Sequence, residues 1–104
     1  MLPKYKDIHK PLLYELALRE GCSRPSGLRE GKTIYETLAD HFDLSEADLE
    51  IRTNELTPGK DRSKWDSMVR WARRKLVDQK MIDNSRHGIW ELTDKGWRES
   101  GYNR

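Results

Sequence analysis

The chain has little cysteine and no long apolar run. Cys22 is the only cysteine among 104 residues, so no internal disulfide and no thiolate metal cluster can form. No stretch approaches the ~20 apolar residues of a membrane span, and residues 1–10 lack the apolar core of a signal peptide. These absences favour a cytoplasmic protein, in which Cys22 has a structural or neutral role in a loop.

Catalytic motifs are also missing. His9, His41 and His87 are scattered, and no H-x-x-x-H, C-x-x-C or G-x-S-x-G pattern occurs. The segment GLREGK has neither the spacing nor the Ser/Thr of a P-loop. The sequence therefore predicts no active site, no cofactor and no metal, in a single domain that spans residues 1–104.

Charge is what the chain has in abundance, and it is unevenly distributed. Charged residues make up 37% of the chain and hydrophobic residues 35%. Residues 1–59 hold eight Lys+Arg against eleven Asp+Glu, whereas residues 60–104 hold twelve against seven. This asymmetry is typical of a protein whose C-terminal half binds a polyanion, although lopsided halves also arise by chance in a chain so rich in charge.

The longest amphipathic segment is KDRSKWDSMVRWARRKLVDQK, residues 60–80. At about 100° per residue, one side carries a stripe of apolar residues and the opposite side carries serines and arginines. The pattern predicts a helix over residues 62–80, with Asp61 or Ser63 as its N-cap. The apolar stripe consists of Trp65, Met68, Val69, Ala72 and Leu76, and the polar side of Ser63, Ser67, Arg70 and Arg74.

The next segment, MIDNSRHGIWEL, predicts a two-stranded hairpin over residues 81–92 with its tip at residues 83–88. A final helix over residues 93–100 is expected, capped by Thr93. Upstream, we expect helices near residues 10–20, 33–42 and 45–51. Pro11 would lie in the first turn of the first helix.

Two capping boxes mark the other upstream helices, Thr33 with Glu36 and Ser45 with Asp48. Residues 21–32 are rich in turn-formers and are expected to form a loop that Leu28 anchors to the core. Together these elements predict a mainly α fold with a small β-hairpin, a winged helix-turn-helix in which residues 62–80 are the recognition helix.

The basic residues of the helix and the hairpin are the candidate DNA contacts. Arginine can hydrogen-bond a guanine edge with both arms of its fork, whereas lysine mainly neutralises phosphate. Ser63, Ser67 and Arg70 are expected to contact bases, and Arg73 and Arg74 phosphates. The remaining candidates are Lys60, Arg62 and Lys64 beside them, with Arg86 and His87 at the hairpin tip, where a side chain can reach a minor groove or a phosphate.

A competing interpretation of the charge run is a solvated helix face, but the hairpin that follows the helix favours DNA binding over it.

The tryptophans of the helix and the hairpin differ in how well they fit the apolar pattern. Trp65 and Trp90 are expected in the core. Trp71 lies about a third of a turn from the centre of the stripe, where it would either cover the helix-hairpin junction or offer an aromatic surface to a base; we favour the core.

Residues 70–97 resemble the N-terminal domain of Mrr-type restriction systems. Members of that family have a WA pair inside a helix, a leucine, a short turn into a strand, an R-G hairpin and an I-T-x-x-G close. The corresponding elements here are Trp71-Ala72, Leu76, Met81-Ile82, Arg86-His87-Gly88 and Leu92-Thr93-Asp94-Lys95-Gly96. One departure is His87, which separates the arginine from the glycine.

The resemblance implies a winged helix that binds duplex DNA and normally accompanies a nuclease that cuts DNA carrying modified bases. Under this hypothesis the chain is the specificity domain of a modification-dependent restriction system. Its partners would be methylated double-stranded DNA and a nuclease domain or subunit. A transcriptional regulator of the same fold and a winged-helix protein-interaction module are the alternatives.

Overall fold

The structure is a computed structural model that describes residues 2–51 and 63–103. Within these ranges five helices and three short strands follow one another along the chain. They are α1 (Tyr5–Leu18), β1 (Cys22–Ser23), α2 (Ile34–His41), α3 (Glu46–Leu49), α4 (Lys64–Asp78), β2 (Ile82–Asp83), β3 (Trp90–Leu92) and α5 (Asp94–Glu99). This order confirms the predicted fold class, mainly α with a small hairpin in a winged-helix-like arrangement.

The three strands form an antiparallel sheet in the order β1-β3-β2. The hairpin of β2 and β3 pairs Ile82 with Leu92, as the sequence predicts. β1 is an addition, because residues 21–32 were expected to form a loop throughout. It joins the sheet where Cys22 pairs with Glu91, and the Leu92 amide donates to the Gly21 carbonyl at 2.7 Å. A strand of two residues has no detectable periodicity, so only its partner strand defines it.

The buried apolar residues of the described ranges form one core between α1, α2, α4 and the sheet. The predicted stripe of α4 is buried along its whole length, and Trp65 and Trp90 are both in the core as expected. The Trp65 indole N–H donates to the Tyr35 carbonyl at 2.9 Å, which satisfies its buried polar atom. The core helices are therefore amphipathic elements that each bury one face.

The predicted helix caps are present at three positions. Thr33 and Glu36 form a reciprocal capping box, and Ser45 and Asp48 form another. Thr93 accepts a hydrogen bond from the Gly96 amide at 3.0 Å. Such caps satisfy backbone amides that have no partner in the first turn of a helix. Because cap and amide lie within a few residues of each other, these helix starts can be predicted from the sequence alone.

Two expectations for the N-terminal half are wrong. The first helix begins at Tyr5, not near Lys10, so Pro11 lies inside α1. An interior proline costs a helix ~3 kcal/mol, and the complete burial of Ile8 and Leu12 on either side of it offsets that cost. Leu28 does not anchor the loop, because 69% of its surface is exposed. An ion-pair cluster on α1 anchors the loop instead, as described below.

Candidate nucleic-acid interface

The outward face of α4 carries Ser67, Arg70 and Arg74, on the side opposite the buried stripe. Both arginines are exposed and Ser67 is half-buried. Within the described ranges, Arg74 makes no hydrogen bond or ion pair with the rest of the protein. Its guanidinium is therefore available to an external acceptor.

Arg70 is held in place by a residue of α2. Its Nε donates to the Tyr35 hydroxyl at 2.9 Å, and the Tyr35 ring stands edge-on to Trp90 with 6.2 Å between ring centroids. The bond uses one of the five N–H donors of the guanidinium, so the others can still bind a ligand. Sequence reasoning missed Tyr35, because no local pattern connects it with α4.

Arg73 lies on the flank of α4 that faces the sheet. Its guanidinium carbon is 5.8 Å from the centroid of the Trp90 ring, which is within cation–π range. Its Nε is shielded from solvent and has no hydrogen-bond partner among the described residues. Burial lowers the pKa of Arg73, and the positive charges of Arg74 and Arg70 lower it further.

The turn between β2 and β3, residues 84–89, is called the wing tip here. Gly88 has a φ of +76°, which a side chain would disfavour, and the Ile89 amide donates to the Arg86 carbonyl at 3.2 Å. Arg86 Nη2 donates to Glu91 Oε1 at 3.0 Å, and this hydrogen bond raises the pKa of Arg86. His87 is exposed.

A concavity of about 380 Å³ separates α4 from the wing tip. We call it the helix-wing pocket. A further cation stands at its edge, since Nη1 of Arg24 lies 3.4 Å from the position that a Cβ on Gly88 would occupy. The pocket is lined by Pro25, Arg70, Arg73, His87, Gly88 and Trp90.

The loop that brings Arg24 and Pro25 to this pocket, residues 24–33, is anchored on α1 by Glu15. Glu15 is 3% exposed and accepts from Arg19 Nε, Arg29 Nε and Arg29 Nη2, each at 2.8 Å. Burial alone would raise the pKa of Glu15, but the hydrogen bonds from Arg29 and Arg19 outweigh it and leave the pKa lowered. Arg19 also donates to the loop carbonyl of Gly27 at 2.6 Å. Sequence reasoning missed this anchor, because its members lie up to 14 residues apart.

Comparison with models of known protein families identifies the family of this chain. A family model described as the Mrr N-terminal domain matches residues 5–99. The chain belongs to the Mrr N-terminal domain family. Comparisons with curated proteins and with solved structures return no match. Family membership associates this chain with restriction systems and confirms the resemblance seen in residues 70–97.

The described ranges of this Mrr N-terminal domain were compared with the requirements of a metal site and of a membrane span. No group of three or more His, Cys, Asp or Glu side chains there could hold a metal ion. No helix in the same ranges is long and apolar enough to cross a bilayer.

The start of α4 differs in part from its prediction. Ser63 occupies the N-cap position, but its side chain makes no capping hydrogen bond; its hydroxyl instead donates to the Leu49 carbonyl at 3.4 Å. Lys64 is exposed, and its amide donates to the Ile51 carbonyl at 2.7 Å. Two candidate contacts, Lys60 and Arg62, and the alternative cap Asp61 lie outside the described residues.

Trp71 is not a core residue, so the favoured expectation that it lies in the core is wrong. Half of its surface is exposed, and Lys75 Nζ lies 5.4 Å from the ring centroid. Its displacement from the centre of the stripe puts it on the outward side of α4. The exposed face therefore carries a large aromatic surface beside Arg70 and Arg74, which the sequence offered only as the second interpretation.

Proposed function

We propose that this Mrr N-terminal domain binds double-stranded DNA through α4 and the wing tip. The observation that carries the proposal is the convergence of Arg70, Arg73 and His87, from two separate elements, on one open concavity. Exposed Arg74 extends the same positive surface along α4. An α-helix fits the major groove of B-DNA, and a neighbouring hairpin can then reach the flanking backbone.

In this arrangement Ser67 and Arg70 face the bases and Arg74 a phosphate, and all three lie opposite the buried stripe. Trp71 adds an apolar surface that can pack against a base edge or a methyl group. One N–H group of Arg86 donates to Glu91, so a phosphate contact would use the remaining donors of a partly neutralised guanidinium. His87, which is exposed, is the more available contact of the two.

The restriction association supports a second part of the proposal. The domain would serve as the specificity element of a modification-dependent system and recognise methylated DNA. Cleavage is assigned to a nuclease domain or subunit of the same system. A methyl group adds only a small apolar contact, so the methyl preference needs its own comparison of duplexes.

Fluorescence anisotropy with a short labelled duplex tests DNA binding directly. The double substitution R70A/R74A should abolish most binding at moderate salt. It should also reduce the slope of log K against log salt by about 1 to 2, because the lost phosphate contact of Arg74 contributes about 0.9 and the lost charge of Arg70 at most as much. Arg98→Ala is the matched control, because Arg98 is exposed on α5 and lies outside the proposed surface; its affinity and slope should equal those of the wild type.

Competition between methylated and unmethylated duplexes of one sequence tests the specificity part. Tighter binding of the methylated duplex is expected, and equal competition would contradict it. Unchanged affinity of R70A/R74A would exclude this surface. Binding that is absent, or insensitive to salt, would favour a protein-interaction module, whereas a dimer with a preference for palindromic duplexes would favour a transcriptional regulator.

A further inference from the structure

The helix-wing pocket collects arginine and histidine side chains from three separate parts of the chain. Arg70 and Arg73 come from α4, His87 from the wing tip and Arg24 from the loop before α2. No carboxylate is among the lining residues in the described part of the chain. Like charges repel, so such a cluster is stabilised when an anion lies between its members.

Arg73 is the member whose bonding is incomplete. It is half-buried against Trp90, and its shielded Nε has no acceptor among residues 2–51 and 63–103. A buried donor without a partner carries a free-energy cost, which is larger when the group is charged. An anionic oxygen placed in the pocket would remove that cost and form a charge-assisted hydrogen bond.

The arrangement of donors favours a tetrahedral anion. Arg70 has N–H groups left after its bond to Tyr35, and Arg73 approaches from the neighbouring turn of the same helix. His87 lines the concavity from the wing tip, and Nη1 of Arg24 lies close to Gly88 beside it. Donors on several sides suit the spread oxygens of a phosphoryl group better than the two coplanar oxygens of a carboxylate.

From this geometry we infer that the helix-wing pocket binds one phosphodiester group of the DNA backbone. The inference rests on the proposed DNA binding and adds a specific subsite to it. A phosphate held between α4 and the wing tip would connect the helix in the groove to the hairpin on the backbone. It would thereby fix the orientation of α4 without reading sequence.

The test uses the side-chain Nε–H signals of the arginines in the ¹⁵N-labelled full chain. Inorganic phosphate is titrated against chloride at equal ionic strength, and a short duplex is then added. The Arg73 signal should shift saturably with phosphate, and the duplex should displace the phosphate. Arg98, which is exposed on α5, should show only the small linear drift of a screened surface charge.

The variant Arg73→Gln keeps part of the side-chain stem but removes the positive charge and the guanidinium fork. It should weaken phosphate binding about ten- to a hundredfold, the range expected for one lost charge-assisted hydrogen bond. Arg98→Gln is the matched control and should leave phosphate binding unchanged. Near-native circular dichroism and Trp fluorescence would show that R73Q is folded. If the variant is poorly folded, the Nε titration of the wild type alone tests whether the pocket binds phosphate.

The outcomes separate this subsite from the proposed function. If the duplex binds while the Arg73 signal moves no more than that of Arg98, the subsite is refuted and DNA binding stands. Phosphate that binds at Arg73 but is not displaced by duplex refutes a backbone phosphate and indicates a free phosphorylated ligand. If the duplex does not bind at all and phosphate does not shift the Arg73 signal, both proposals fail.

Discussion

Replacing Glu15 by glutamine tests the anchor that positions the loop carrying Arg24 and Pro25. The substitution keeps the shape of the side chain but removes its charge and at least one of its three short hydrogen bonds, because the amide nitrogen cannot accept. Arg19, whose side chain is 5% exposed, then remains buried without its counter-charge. Breaking a buried ion pair by removing one partner costs about 3–5 kcal/mol.

Two features of the site place the expected loss at the lower end of that range. The Arg29 side chain is 28% exposed, so it can regain hydration. Arg19 keeps its bonds to Ser23 Oγ and to the carbonyls of Gly27 and Lys32. We therefore expect E15Q to lower the free energy of unfolding by about 3 kcal/mol, and the Tm by about 15 °C for a domain of this size.

Urea unfolding followed by Trp fluorescence measures the loss, and its pH dependence identifies the cause. Because the folded-state pKa of Glu15 lies below its usual value of 4.5, its contribution is complete above pH 4.5 and is lost as the pH falls through the folded pKa. E15Q should therefore depend less steeply on pH in acid. Glu20→Gln, at an exposed residue just after α1, should change stability by less than about 0.5 kcal/mol. If E15Q lowers the free energy of unfolding by less than about 1 kcal/mol, or if its stability depends on acid pH as that of the wild type does, Glu15 does not anchor the loop.

Two further substitutions test the packing and the protonation of the fold. Gly96→Ala should destabilise by about 3 kcal/mol or more in thermal unfolding, because its Cβ would lie 2.1 Å from the Met81 carbonyl oxygen; a Tm near that of the wild type would contradict this close approach. Burial lowers the pKa of His9 in the folded protein below 6.5. Below pH 6.5 the unfolded chain therefore binds a proton at His9 more readily than the folded chain does, and the free energy of unfolding falls. His9→Gln should reduce this loss of stability between about pH 6.5 and 5 in urea titrations. An unchanged pH dependence would mean that other groups cause the loss.

Local patterns predicted most of the elements of this fold. The 3.6-residue apolar repeat identified α4 and its buried face, and hydroxyl caps marked the starts of α2, α3 and α5. Turn-formers between two apolar runs identified the hairpin. All three signals depend on interactions between residues a few positions apart, so they are present in the sequence itself.

Predictions that required knowledge of packing were less successful. Pro11 indicated a helix start, yet α1 extends beyond it because burial of Ile8 and Leu12 offsets the proline. Leu28 and Trp71 were expected to be buried on hydrophobicity alone, and both are exposed. Hydrophobicity gives a tendency to be buried, but whether a neighbour covers the position depends on the tertiary arrangement.

By itself the sequence determined the helix stripe, the caps, the hairpin and the family, because each is encoded in residues close together in the chain. Only the tertiary structure decided which cations share a site. It brought Arg24, Arg70 and Arg73 together at the wing tip while binding Arg86 to Glu91. The physical reason is that charges interact through space over a few ångströms, and folding sets those distances between residues that are far apart in sequence.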